Sequence, residues 1–201
     1  MSGAEFAALG AAWTKPVAVA FGIAYVVLAI RQHRACWLAG FISTALYATV
    51  FYRAGLFMQA VLQLYYVAIA VYGWHAWRAL PGRDALPVSR APWRLQLAGL
   101  VAVLLATAAS SLLLARSRAA TEPLLDSLTS WASVFATWLQ ARKQLDNWAW
   151  WLVIDLLCAL LFWQTHDYPT MLLYLFYLVL IAIGWRSWGR DYARRRQVVA
   201  A

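Results

Sequence analysis

The chain has 201 residues, 64% of them hydrophobic and only 12% charged, with thirteen Trp, ten Tyr and eight Phe. A typical soluble domain has roughly 45–50% apolar and about 25% charged residues, so too few charges remain here to solvate the apolar surface. That excludes a disordered chain, a disulfide-stapled domain and an ordinary soluble enzyme; the net charge of +9 lies between apolar runs, which orients a membrane protein and argues against a nucleic-acid partner.

A membrane-crossing helix needs about 20 apolar residues, and seven such runs follow along the chain. The first covers Ala12 to Ile30 and ends at Arg31-Gln-His-Arg34. It has no basic region before it and no clear cleavage site, so it is expected to be a retained span. The second is Cys36 to Tyr52, and the third is Leu56 to Trp77, followed by the long polar stretch Arg78 to Arg94. The fourth is Leu95 to Ala115. The fifth opens at Thr121-Glu-Pro123, a helix-start signal, and ends near Gln140. The sixth is Trp148 to Trp163, and the seventh runs from Tyr168 to Trp185 or Trp188, with a basic tail over 189–201. These runs are too long and too evenly apolar for barrel strands, which alternate.

Counting Lys and Arg by side sets the orientation. Thirteen lie in the segments after spans one, three and five and at the C-terminal end, against Lys15, Arg53, Arg116 and Arg118 on the other side. The bias places the N-terminus outside and the C-terminus in the cytoplasm, and the basic tail is then expected to meet anionic membrane lipid.

An offset of 111 residues aligns the chain with itself. Trp37 pairs with Trp148, Tyr66 with Tyr177, Gly73-Trp74 with Gly184-Trp185 and Trp77 with Trp188, among twelve identities over positions 28–77. Each repeat holds three spans and one span separates them. The odd separator gives two parallel three-helix repeats in a 3+1+3 arrangement, the plan of a transporter that rocks two halves about a central site. The expected fold class is therefore an all-α integral membrane protein of seven transmembrane helices. Repeat 1 covers 12–77, the linker helix 95–115 and repeat 2 121–188.

Residues three or four apart share a helix face, and the polar stripes so traced are unequal. The fifth span carries Asp126, Ser130, Ser133, Thr137 and Gln140; the third carries Gln59, Gln63 and Tyr66, and the seventh Thr170, Tyr174 and Tyr177. The sixth aligns Trp148, Trp151, Asp155 and Cys158. Asp155 sits near mid-span, where a carboxylate costs roughly 2.5–3.5 kcal/mol and needs a partner or water. One reading makes it a structural acid bonded to hydroxyls of the fifth span. The other sets it beside a cationic ligand, with Trp148 and Trp151 stacking on a flat cation; interfacial packing is the alternative for these tryptophans.

Cys36 and Cys158 sit in apolar runs with no metal-ligand spacing, so both are expected as small core residues. His33, His75 and His166 fall at span ends or in a loop. No phosphate loop, catalytic triad or zinc-protease motif occurs, so neither catalysis, a cofactor nor a metal is expected.

The order of motifs resembles the PnuC family of vitamin transporters over about residues 15–190. It is carried by Leu139-Gln-Ala-Arg-Lys-Gln-Leu-Asp-Asn-Trp148 running on to Trp151 and Asp155, by Leu62-Gln63-x-Tyr65 with Gly73-Trp74-x-x-Trp77, and by Leu173-Tyr174 with Gly184-Trp185. The resemblance implies a fold related to SWEET sugar transporters in a bacterial inner membrane. It implies facilitated diffusion of nicotinamide riboside, or in sister branches thiamine or riboflavin, by a homotrimer whose vitamin is trapped by a cytoplasmic kinase. It carries a substrate-binding role onto Gln59, Gln63, Tyr66, Trp148, Trp151, Asp155, Tyr174 and Tyr177. The resemblance also associates nicotinamide riboside with a neutral amide in the sixth helix, so Asp155 leaves the choice between that vitamin and thiamine open. A proton-coupled carrier and a non-transporting structural subunit are the remaining alternatives.

Overall fold

Apolar runs bounded by charged turns become helices in the computed structural model: α1 (Gly3–Ile30), α2 (Ala35–Arg53), α3 (Phe57–Ala76), α4 (Trp93–Arg116), α5 (Pro123–Ala141), α6 (Asn147–Gln164) and α7 (Tyr168–Ala200). The structure describes the backbone of residues 3–53, 57–78, 86–116 and 123–200, and their side chains except at 3–12, 51, 57–61, 114–116, 123 and 199–200. Pro123 opens α5 as predicted, where its missing N–H is not needed; Thr121 and Glu122 of the start signal lie outside the described residues.

Windows in α1, α4, α6 and α7 are long and apolar enough to cross a membrane, and Ala35–Val50 of α2 is a shorter apolar stretch. The amphipathic α5 falls short because of its hydroxyls and Asp126, a composition that suits a helix facing protein or water on one side. Two boundaries differ from expectation: α1 begins at Gly3, ahead of the expected Ala12, and α7 runs past its expected end. The charge pattern predicts an end to the seventh span at Trp185 or Trp188 and a separate tail, but α7 continues to Ala200. No Pro interrupts that segment, and neighbours one turn apart support it, with Arg194 paired to Asp191 at 4.0 Å and Arg196 over the Tyr192 ring at 5.8 Å.

The chain divides into two compact units, Met1–Leu86 with α1 to α3 and Pro87–Ala201 with α4 to α7. In the first, α2 packs against both α1 and α3; in the second, α6 packs against both α5 and α7, and α4 lies on α5. The same turn starts the middle helix of each unit. Gln32 and Lys143 both adopt positive φ, 53° and 50°. The amides of Gln32 and His33 donate to Ala29 and Leu28, and those of Lys143 and Gln144 donate to Gln140 and Leu139. This is a Schellman end without glycine, which closes the carbonyls of one helix before the next begins. The first turn leaves Arg31, His33 and Arg34 exposed, whereas Lys143, Gln144 and Leu145 are buried. They lie beneath segment 87–91: the Ser89 amide donates to the Lys143 carbonyl at 3.1 Å, the Leu145 amide to the Ser89 carbonyl at 2.8 Å, and the Ala91 amide to the Asp146 carboxylate at 2.7 Å.

Within each unit an aromatic ring fills the space a glycine leaves. The Trp37 ring occupies the place of a Cβ on Gly73, 2.2 Å from it, and meets Trp77 edge-on at 5.4 Å. The Trp148 ring does the same at Gly184, at 2.4 Å, and meets Trp188 edge-on at 5.5 Å. Phe135 of α5 covers Gly99 of α4, and Tyr25 of α1 lies on Gly40 of α2. Lipid tails are as apolar as these side chains, so close packing rather than water exclusion holds such helices together. Gly73→Ala and Gly184→Ala should each lose about 1–3 kcal/mol through overpacking. Gly189, with nothing within 4 Å of an added Cβ, should accept alanine without loss. Thermal unfolding in detergent checks this, and equal melting temperatures for the three variants would contradict the packing account.

Candidate functional site

Asp155 is 5% exposed on α6, and among the described residues its carboxylate has neither a hydrogen bond nor an ion pair. Cys158, one turn on, and Tyr174 of α7 lie within its electrostatic reach. Tyr174 stacks on Phe162 at 5.5 Å with planes 15° apart and meets Tyr177 edge-on at 6.2 Å. Trp151, half-buried one turn before Asp155, donates its indole N–H to the Gln140 side chain of α5 at 3.3 Å. Gln140 and Thr137 are both buried, and Gln140 puts the inner end of the predicted α5 stripe against α6. Its outer member, Asp126, is exposed.

The second unit thus brings together Trp151, Asp155, Tyr174 and Tyr177. Trp148 lies elsewhere. It is 2% exposed in the Gly184 notch and two helical turns before Asp155, about 10 Å along the axis at 1.5 Å per residue. Packing occupies the face that was expected to meet a ligand. In the first unit, Gln63 is 8% exposed on α3, and Tyr66, one turn on, is half-buried with its ring edge-on to Tyr65 at 5.5 Å. The Gln59 side chain lies outside the described residues. Cys36 and Cys158 are both buried as thiols, as small core residues would be. His33 accepts the Ala35 amide through Nδ1 at 3.3 Å, and His166 closes α6 at φ 60°.

One polar group escapes the stripe analysis. The Tyr25 hydroxyl is buried without a hydrogen-bond partner, within electrostatic reach of Cys36, Tyr65 and Tyr66. It lies on none of the polar stripes traced in the sequence. A size exchange marks it instead: Tyr25 of α1 covers Gly40 of α2, whereas the aligned positions hold Ala136 in α5 and Trp151 in α6, which share one core cluster of the second unit. The ring comes from the outer helix in one unit and from the middle helix in the other. In the second unit side chains of different helices bond directly: Trp150 donates to Gln96 at 2.8 Å and Trp131 to Ser110 at 3.1 Å.

Apolar helices that leave an acid buried and unpaired, among aromatic rings, have the makings of a small-molecule path across a membrane. The chain is a multi-pass α-helical membrane protein of the transporter class, not an enzyme. The family model described as nicotinamide mononucleotide transporter matches residues 12–190, and the chain belongs to that family. It is 21% identical to the nicotinamide riboside transporter PnuC of Escherichia coli (strain K12), over 88% of this chain and 84% of that one. It is 27% identical to the riboflavin/roseoflavin transporter RibM of Streptomyces davaonensis, with the same coverage. The crystal structure of the vitamin B3 transporter PnuC superposes with a TM-score of 0.71 and 25% identity, over 90% of this chain and 83% of that one.

An unpaired acid reduces stability where no ligand or water compensates for it. Asp155→Leu, close in shape, should therefore raise the melting temperature of the ligand-free protein, by up to the roughly 2.5–3.5 kcal/mol that a central carboxylate costs on insertion. Thermal unfolding in detergent measures it. A lower melting temperature would show that the carboxylate anchors the fold.

Proposed function

We propose that this protein carries nicotinamide riboside across the bacterial inner membrane by facilitated diffusion. The observation behind the choice of substrate is the Asp155 carboxylate, buried and without a counter-charge among the described residues. The pyridinium ring of nicotinamide riboside is a flat cation, and its ribose and amide supply hydrogen-bond donors and acceptors. In this reading Asp155 balances the ring charge or accepts a ribose or amide proton, and Trp151 stacks on the ring through cation–π contact. Gln59 and Gln63 fix polar edges of the substrate, and Tyr66, Tyr174 and Tyr177 line its path. Trp148 serves the same site by holding α6 on α7, so that Trp151 and Asp155 keep their positions. The relatives named for nicotinamide riboside and vitamin B3 support this substrate.

The repeat supports a 3+1+3 plan, with α4 joining two parallel triplets that rock about the substrate. The excess of Arg and Lys after spans one, three and five supports an outer N-terminus and a cytoplasmic C-terminus. A homotrimer, and a cytoplasmic kinase that traps the vitamin, belong to the same proposal through the family resemblance. Uniport is preferred to proton coupling because the sequence places no second acid deep in a span to form a relay with Asp155.

Thiamine is the second reading, favoured by the same residue, since its thiazolium ring is also a cation and would suit a carboxylate. Riboflavin, the cargo in the name of RibM, is neutral and gives Asp155 no charge to balance. Counterflow into proteoliposomes without an imposed ion gradient tests these readings. Labelled nicotinamide riboside should exchange saturably and riboflavin should not. Exchange of thiamine alone would reassign the substrate, and absence of exchange for all three vitamins would remove the proposed function.

A further inference from the structure

The outer surface of α4 has a feature that the transport reading does not use. This helix packs within its unit through Gln96, Gly99, Val103 and Ser110, which meet Trp150, Phe135, the core and Trp131. On the opposite side lies an apolar groove of about 520 Å³, lined by Ala98 and Ala102 among Leu97, Val101 and Leu105 and bounded at one end by Trp93 and Arg94. The larger side chains are open to the surroundings, with Leu97, Val101 and Leu105 51%, 46% and 67% exposed. From Arg94 to Leu105 the helix rises about 16 Å at 1.5 Å per residue, close to the depth of one leaflet of a hydrocarbon core about 30 Å thick.

The charge at the end of this groove selects an occupant. The Arg94 guanidinium lies 5.6 Å from the centre of the Trp93 ring, which is itself 69% exposed, a pairing that suits the interface between headgroups and tails. Arg90, also exposed, precedes the helix by three residues, and the first turn of α4 adds the positive end of its dipole. Asp146, the acid that reaches this segment, accepts the Ala91 amide. A zwitterionic lipid would bring its own headgroup cation beside two guanidinium groups, whereas an anionic lipid carries a net charge that balances them. The geometry points to a site for one anionic phospholipid, with its phosphate at Arg94 and Arg90 and one acyl chain along Ala98 and Ala102.

Native mass spectrometry of the purified full-length protein, titrated with phosphatidylglycerol or phosphatidylcholine in parallel with thermal unfolding, tests the site. The expected result is one tight phosphatidylglycerol adduct per chain, with a rise in melting temperature. Phosphatidylcholine should bind about thirty-fold more weakly, on the order of what two arginines contribute beside an anionic surface. Arg90→Gln/Arg94→Gln should abolish that preference while vitamin exchange continues, and Ala98→Leu/Ala102→Leu should remove the tight adduct by filling the groove. Equal binding of the two lipids by the wild-type protein would overturn the proposal, as would an undiminished preference in the arginine variant. Two further results would also overturn it. One is an equal thermal shift with inorganic phosphate alone. The other is a loss of oligomer mass instead of lipid from the Ala98→Leu/Ala102→Leu variant, which would make the groove a contact between copies of the chain.

Discussion

Helices in a bilayer gain little from leaving lipid for one another, so their association depends on how closely they fit. Here the fit comes from aromatic rings set into glycine notches. Trp37 in Gly73 and Trp148 in Gly184 are the same contact made twice, each completed by an edge-on tryptophan four residues beyond the glycine, Trp77 just past α3 and Trp188 within α7. The notches tie the middle helix of each unit to the last. The repeated Schellman turns at Gln32 and Lys143 tie it to the helix before. With these contacts fixed, the remaining faces of the two units are free to differ.

They differ most around Asp155. Tyr25 over Gly40 in the first unit corresponds to Ala136 and Trp151 in the second, and in that unit the exchange places the larger ring one turn from Asp155. The acid, the α5 hydroxyls and the interhelical indole bonds to Gln96, Gln140 and Ser110 gather there too. The first unit keeps Gln63 and a group of tyrosines. Segment 87–91 adds a further asymmetry, covering the turn at Lys143 while the turn at Gln32 stays open.

Much of this was legible in the residues themselves. Seven apolar runs correspond to the seven helices α1 to α7, and windows in α1, α4, α6 and α7 have the length and hydropathy that crossing a bilayer requires. The identities Trp37/Trp148, Gly73/Gly184 and Trp77/Trp188 marked the repeat, and the structure gives their physical reason. What spacing could not separate was a tryptophan that offers a face to a ligand from one that fills a notch. Trp148 and Trp151 share a helix face and differ only in what α7 and α5 place opposite them. Tyr25 was hidden for a related reason, since its partner is an absent side chain, that of Gly40. The extension of α7 past Trp188 went unread because charge marks the edge of a membrane more reliably than the end of a helix.

The central claim is that Asp155 recognises positive charge on a flat ring. Nicotinamide riboside and its neutral dihydro form have nearly the same outline and differ by that charge. Calorimetric binding of both to the wild-type protein and to Asp155→Asn isolates it. The account predicts that the wild-type protein prefers the cation by about ten-fold or more, which is 1.4 kcal/mol or above, and that this preference disappears in the asparagine variant. The same preference in both proteins would show that the carboxylate does not meet the ring, and would contradict the account.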